Sequence, residues 1–164
     1  MTDTVNVPEI FDRNRRRLVR DRGYARARGD DFFSQIMVAE IMERLDIVTR
    51  TFRRALVIGL PSPALGKELD SREIDAVFAD SSALVATECC GVICDDDRLP
   101  FADHSFDLII NIGSLDTVND LPGALVLCRR ILVPDRLLLA AFVCAESFPS
   151  LKSLIMEAEG DRVA

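Results

Sequence analysis

Between Leu99 and Val143 the chain reads LPFADHSFDLIINIGSLDTVNDLPGALVLCRRILVPDRLLLAAFV. Two apolar runs of strand length bracket a stretch with helical spacing, and turn-forming residues mark both junctions. A strand–helix–strand unit of this kind belongs in a parallel sheet, whose neighbouring strands can be joined only by a long crossover. Strands of such sheets are covered on both faces, so they read as continuous apolar runs rather than as alternation. RALVIG at 54–59, IDAVFA at 74–79 and the short VIC at 92–94 read the same way. The expectation is an α/β fold with an open, doubly wound, mostly parallel sheet of five strands.

The segments between the strands carry helical signals. Phe11–Ala27 predicts a helix whose apolar residues are too sparse for a deep core face, and Gly29 ends it. Asp30 or Asp31 then suits the N-cap of a helix over Phe32–Val48, because a short carboxylate accepts the unpaired N–H groups of a first turn. Phe32, Phe33, Ile36, Met37, Ile41 and Leu45 recur at helical spacing there and predict one buried face. Further helices are expected over Pro63–Leu69, Leu121–Leu132 and Pro149–Glu159. Pro134-Asp135 reads as a turn before a fifth strand at Arg136–Val143. The division that follows is an N-terminal tail and basic helix over residues 1–30 and an α/β domain over residues 31–164.

The 164 residues correspond to one domain, and a chain of this size hides about two-thirds of its unfolded surface. No apolar run approaches the ~18 residues of a membrane span, and MTDTVNVPEIFD lacks the basic-then-apolar pattern of a secretion signal. Five cysteines without framework spacing suit a reducing compartment, and the expected location is cytoplasmic. The net charge of −7 is unevenly spread, because DRNRRRLVRDRGYARAR at 12–28 is strongly basic. A basic arm on an acidic body suits nucleic acid, an anionic membrane or an acidic protein, or it is a solvated helix folded back on its own domain. Nucleic acid is disfavoured, since Tyr24 is the only aromatic residue in the arm and the rest of the chain is acidic.

In doubly wound sheets ligands bind beyond the carboxyl ends of the strands, so polar residues there are the candidates. Gly59 opens the turn after the first strand, followed by Pro61 and Pro63, which stiffen it and remove two N–H donors. Asp80, followed by Ser81 and Ser82, ends the second strand and suits either a ribose diol or a helix cap. Asp95, Asp96 and Asp97 follow the third strand as an acidic turn. Asn111, Ser114 and Asp116 follow the fourth, where a lone Asp can orient a hydroxyl or amine but is a weak base near neutral pH. His104 is the only histidine, which argues against a Ser-His-Asp or multi-histidine metal site. Cys89, Cys90 and Cys94 lack zinc-ligand spacing, and the two flanking the short strand read as core.

The phrase LPFADHSFDLI resembles a common one in class I S-adenosylmethionine-dependent methyltransferases. Together with IFDRNRRRLVRDRGYARAR, VNDLPGALVLCRRILVPDRLLLAAF and SFPSLKSLIMEAE, it is similar to the branch of mitochondrial complex I assembly methyltransferase-like proteins. It is similar, more distantly, to malonyl-acyl-carrier-protein methyltransferases. The resemblance implies a Rossmann-like sheet, S-adenosylmethionine as cofactor and a protein or carrier-bound acceptor. It implies Gly59 under the methionine end, Asp80 and Ser81 at the ribose, Asp95 and Asp96 near the adenine, Asn111 in the cofactor pocket, and Ser114 and Asp116 toward the acceptor. No catalytic residue is assigned.

Two features depart from the family pattern. Val57 stands where an acidic residue is expected, and Pro61 and Pro63 stand where second and third glycines are expected. The class also carries seven strands, whereas this sequence is truncated after the fifth. The edge Leu137–Val143 is very apolar, and an exposed edge of that kind invites pairing. The expected partner is a second copy or another protein covering it. The alternative to an enzyme is a catalytically silent methyltransferase-like domain acting as an assembly or interaction module.

Overall fold

A computed structural model describes residues 9–27, 32–59, 63–144, 147 and 149–160. Helices α1 (Arg13–Ala27) and α2 (Phe32–Ile47) precede strand β1 (Arg54–Gly59). Then come α3 (Pro63–Ser71), β2 (Asp75–Asp80), α4 (Ala83–Glu88), β3 (Val92–Ile93) and β4 (Phe106–Ile112). A one-turn 3-10 segment (Leu115–Thr117), α5 (Leu121–Ile131), β5 (Leu132–Ala141) and α6 (Pro149–Gly160) complete the order. The sheet runs β3-β2-β1-β4-β5 with every pairing parallel. The chain starts at the centre, winds outward to β3, then crosses back to β4. The order therefore reverses between β1 and β4, the place where such sheets open a crevice. The doubly wound, Rossmann-like expectation is met.

Alternation along β1 explains why both faces are covered. Ala55 and Val57 point into a layer with Ile41 and Leu45 of α2, Leu65 and Leu69 of α3, and Phe52. Leu56 and Ile58 point the other way, against Ile109, Leu99, and Cys128 and Ile131 of α5. Gly59 closes β1 with φ of +95°, and a Cβ there would sit 2.0 Å from the Ile112 carbonyl oxygen. Close approach to β4 thus requires glycine at this position without reference to any ligand.

Four sequence expectations need correction. The apolar packing of α2 lies in its C-terminal half: Phe32, Phe33 and Ile36 are exposed, while Ile41 and Leu45 are buried in the core layer, and Ser34 is the buried residue of the first turns. Pro134-Asp135 is not a turn before a strand but lies inside β5. Phe106 pairs with Leu132 and Leu108 with Leu137, so β5 bulges between these points, with Asp135 at φ +60°. Proline has no N–H for the ladder, and an edge bulge is where a strand tolerates it. Cys89 and Cys94 are half-buried and Cys90 is exposed rather than core, because β3 is a two-residue edge strand. Helix α4, for which the sequence offered only a cap at Asp80, Ser81 or Ser82, is a full element capped by Ser82. The expected caps Asp30 and Asp31, the break at Gly29 and the turn residue Pro61 lie outside the described residues.

Candidate functional site

The strand ends bring most of the candidate residues together. Asp80 is the last residue of β2, Asp95 and Asp96 form the turn after β3, and Asn111 and Ser114 lie at the end of β4. Each of these five is at most 4% exposed. Ser81 is buried beside Asp80, and Gly59 ends β1 between β2 and β4. Asp116 stands apart, exposed on the one-turn helix after β4. Val57 is wholly buried in the core layer under α2 and α3 and presents no polar group to the cleft.

So many buried carboxylates require compensation. It comes from α1, which lays its arginines across the strand ends. The Arg20 guanidinium grips both oxygens of Asp80, its Nε donating at 3.0 Å to Oδ1 and its Nη2 to Oδ2. Its Nη1 donates to the Gly113 carbonyl at 2.9 Å, so it bridges β2 to the end of β4. Arg16 Nη2 donates to Asp96 Oδ2 at 2.6 Å and to the Ser114 carbonyl at 2.9 Å, and its Nε to Thr117 Oγ1 at 3.0 Å. Arg17 Nη2 donates to Asp95 Oδ2 at 2.7 Å, and Arg13 takes Asp97 in a bidentate pair at 2.7 Å on each oxygen. Planar guanidiniums suit such forked contacts better than lysines would.

Local hydrogen bonds fix the carboxylates from the other side. The Ser82 N–H donates to Asp80 Oδ1 at 2.7 Å. Asn111 Nδ2 donates to Asp96 Oδ1 at 3.3 Å, and the Ser114 hydroxyl lies against the same oxygen while also 2.9 Å from Asn111 Oδ1. A hydroxyl has one proton, and the charged carboxylate is the stronger acceptor. Two buried polar atoms in the cleft stay unmatched: Asp95 Oδ1 and Arg17 Nε accept or donate no hydrogen bond.

The electrostatics follow from these pairs. The hydrogen bond from Arg13 holds the Asp97 carboxyl below its usual range, burial opposing. Burial works against the Arg20 cation, yet Asp80 outweighs it and the guanidinium is held more firmly protonated than usual. Burial, together with the Asp96, Asp95 and Asp80 charges, pushes the Cys94 thiol up to about 12, so it is no nucleophile at neutral pH.

Sequence reasoning did not single out Arg13, Arg16, Arg17 and Arg20 as site residues. Their spacing was the available signal, because positions i, i+3, i+4 and i+7 share one helix face. Of the readings offered for the basic segment, it is the helix folded back on its own acidic domain that the structure shows.

Residues 64–140 match the methyltransferase domain family. The chain is 29% identical over 167 residues to the mitochondrial arginine-hydroxylase NDUFAF5 of Danio rerio, covering 93% of this chain and 51% of that protein. It thus spans about half the length of the curated relatives it matches. A structure of a Haloferax volcanii methyltransferase with its Trm112 activator superposes with a TM-score of 0.61 at 19% identity, over 76% of this chain and 58% of that one. Phosphoethanolamine N-methyltransferase 2 of Haemonchus contortus was solved with phosphomonomethylethanolamine and S-adenosylhomocysteine. It superposes with a TM-score of 0.59 at 21% identity, over 79% of this chain and 36% of that one. At these identities the structural likeness is one of fold.

Proposed function

We propose that this chain, which matches the methyltransferase domain family over residues 64–140, binds S-adenosylmethionine in the cleft at the strand ends and serves methyl transfer to a protein or carrier-bound acceptor. The observation that carries this reading is the buried, convergent set Asp80, Asp95, Asp96, Asn111 and Ser114, with one oxygen of Asp95 accepting no hydrogen bond and only 3.9 Å from Arg16 Nη1. Buried polar atoms are nearly always satisfied, so an orphaned carboxylate oxygen in a crevice fits a missing donor. The donor set suits the cofactor at its ribose and base. At the methionine end the chain offers Gly59 and no acidic side chain.

When bound, S-adenosylmethionine supplies an electrophilic methyl group on its sulfonium. The chain's own contribution is positional, since in-line transfer needs alignment more than a dedicated base. Asp80 accepts from a ribose diol with Ser81 beside it, and Asp95 offers the oxygen that accepts no hydrogen bond to an amine. Asn111 and Ser114 hold Asp96 in place from β4. In this reading Ser114, buried at the end of β4, and the exposed Asp116 serve the acceptor. Calorimetric titration with S-adenosylmethionine and S-adenosylhomocysteine tests this. Micromolar binding supports it, and no heat at millimolar ligand on folded protein refutes it.

The second reading is a silent assembly module. It is favoured by the apolar Val57, by the arginines already seated on the carboxylates, and by the apolar side chains exposed beside β5, the outer strand of the described sheet. Phe142 lies exposed beyond β5, and Leu151, Leu154, Ile155 and Met156 of α6 are all exposed. A second copy or another protein covers this edge in either reading, and a clean monomer by light scattering at micromolar concentration would argue against a second copy. Among the described residues no helix is long and apolar enough to cross a membrane. The curated relatives are mitochondrial proteins, which favours a mitochondrial location for this chain over the cytoplasmic one expected from its sequence.

A further inference from the structure

Helix α1 occupies the carboxylates that a nucleoside ligand would need. Both oxygens of Asp80 are taken by Arg20, and one also accepts from Ser82. A ribose diol needs both oxygens of Asp80, and with Arg20 and Ser82 in place Oδ1 already accepts two hydrogen bonds and Oδ2 one. Resting on the cofactor reading above, we propose that α1 is a displaceable arginine strap: Arg16, Arg17 and Arg20 hold the cleft's carboxylates when it is empty, and strap and nucleoside exclude each other.

Three observations support displacement rather than permanent closure. The helix contributes no buried residue and no side chain to either apolar layer around the sheet. Its hold is polar, made of ion pairs to Asp80, Asp95, Asp96 and Asp97 and hydrogen bonds to the carbonyls of Gly113 and Ser114. The fit is also imperfect, since Asp95 Oδ1 and Arg17 Nε are buried without a hydrogen bond, Asp95 Oδ1 having only a 3.9 Å ion pair with Arg16 Nη1. A permanent structural contact would be expected to satisfy both. The strap removes a buried-charge problem from the empty cleft and returns it when a ligand's own donors arrive.

A closed population lowers apparent affinity by the open fraction, so loosening the strap tightens binding. S-adenosylhomocysteine is titrated calorimetrically into the full chain, into Arg16→Gln/Arg20→Gln, and into Arg20→Lys, at low and high salt. The double variant is expected to bind at least ten-fold tighter than the parent. Parent affinity should rise with salt, which screens the arginine pairs, while the double variant's should not. If the double variant does not fold, Arg20→Lys keeps the charge, loses the fork and should bind with intermediate affinity. Equal affinities and equal salt response overturn the strap but leave the cofactor reading intact. Weaker binding by the variants overturns it too, and shows that the arginines hold the ligand. No binding by any form refutes the cofactor reading and the strap with it.

Discussion

Helices α1 and α2 follow one another in the chain and are held to the same sheet by opposite means. Helix α2 buries Ile41 and Leu45 among Ala55, Val57 and Ile110 and depends on apolar packing. Helix α1 buries no residue and depends on arginines seated on aspartates at the strand ends. Salt screens ion pairs but does not weaken apolar packing. One helix is therefore anchored by the core, and the other by polar contacts to the strand ends.

The largest expected effect is on the packed helix. Leu45→Ala should cost about 2–5 kcal/mol in urea denaturation, the usual range for a buried leucine. A loss well under 1 kcal/mol would erase the contrast. Arg20→Ala should cost less, about 1–3 kcal/mol for a buried polar group left unpaired, because α1 can lift and let water reach Asp80. Hydrogen exchange should then show α1 unprotected and α2 unchanged. Salt should act in the same direction without mutation: raising ionic strength from about 50 mM to about 1 M lowers protection of α1 and leaves α2 alone. Loss of protection in both helices together would contradict this.

The smallest effect is that of pH. Asp97 has its folded pKa lowered, so its contribution is fully present above the unfolded value of about 3.9 and is lost as pH falls through the folded one. Limited proteolysis within α1 should therefore quicken as pH falls from about 5 to about 3, ahead of global unfolding. With Asp97→Asn that acid-side step should diminish.

The sheet was legible in the sequence because each strand is a short apolar run ended by punctuation. β1 and β4 carry the same boundaries in sequence and structure. The bulge at Pro134-Asp135 was read as a turn because proline usually interrupts strands, and an edge strand is the exception. The first turns of α2 looked buried because periodicity reports which residues share a face, not whether a neighbour covers it. The candidate carboxylates were legible from their place after each strand. What covers them was not, because pairing an arginine face at 13–20 with acids at 80 and 95–97 takes the tertiary crossing of α1 over the sheet.

The most direct measurement is hydrogen exchange of the full chain with and without saturating S-adenosylhomocysteine. The account predicts that the ligand strips protection from Arg13–Ala27 while β1 and β4 stay as protected as before. Bound ligand with α1 still fully protected would contradict it.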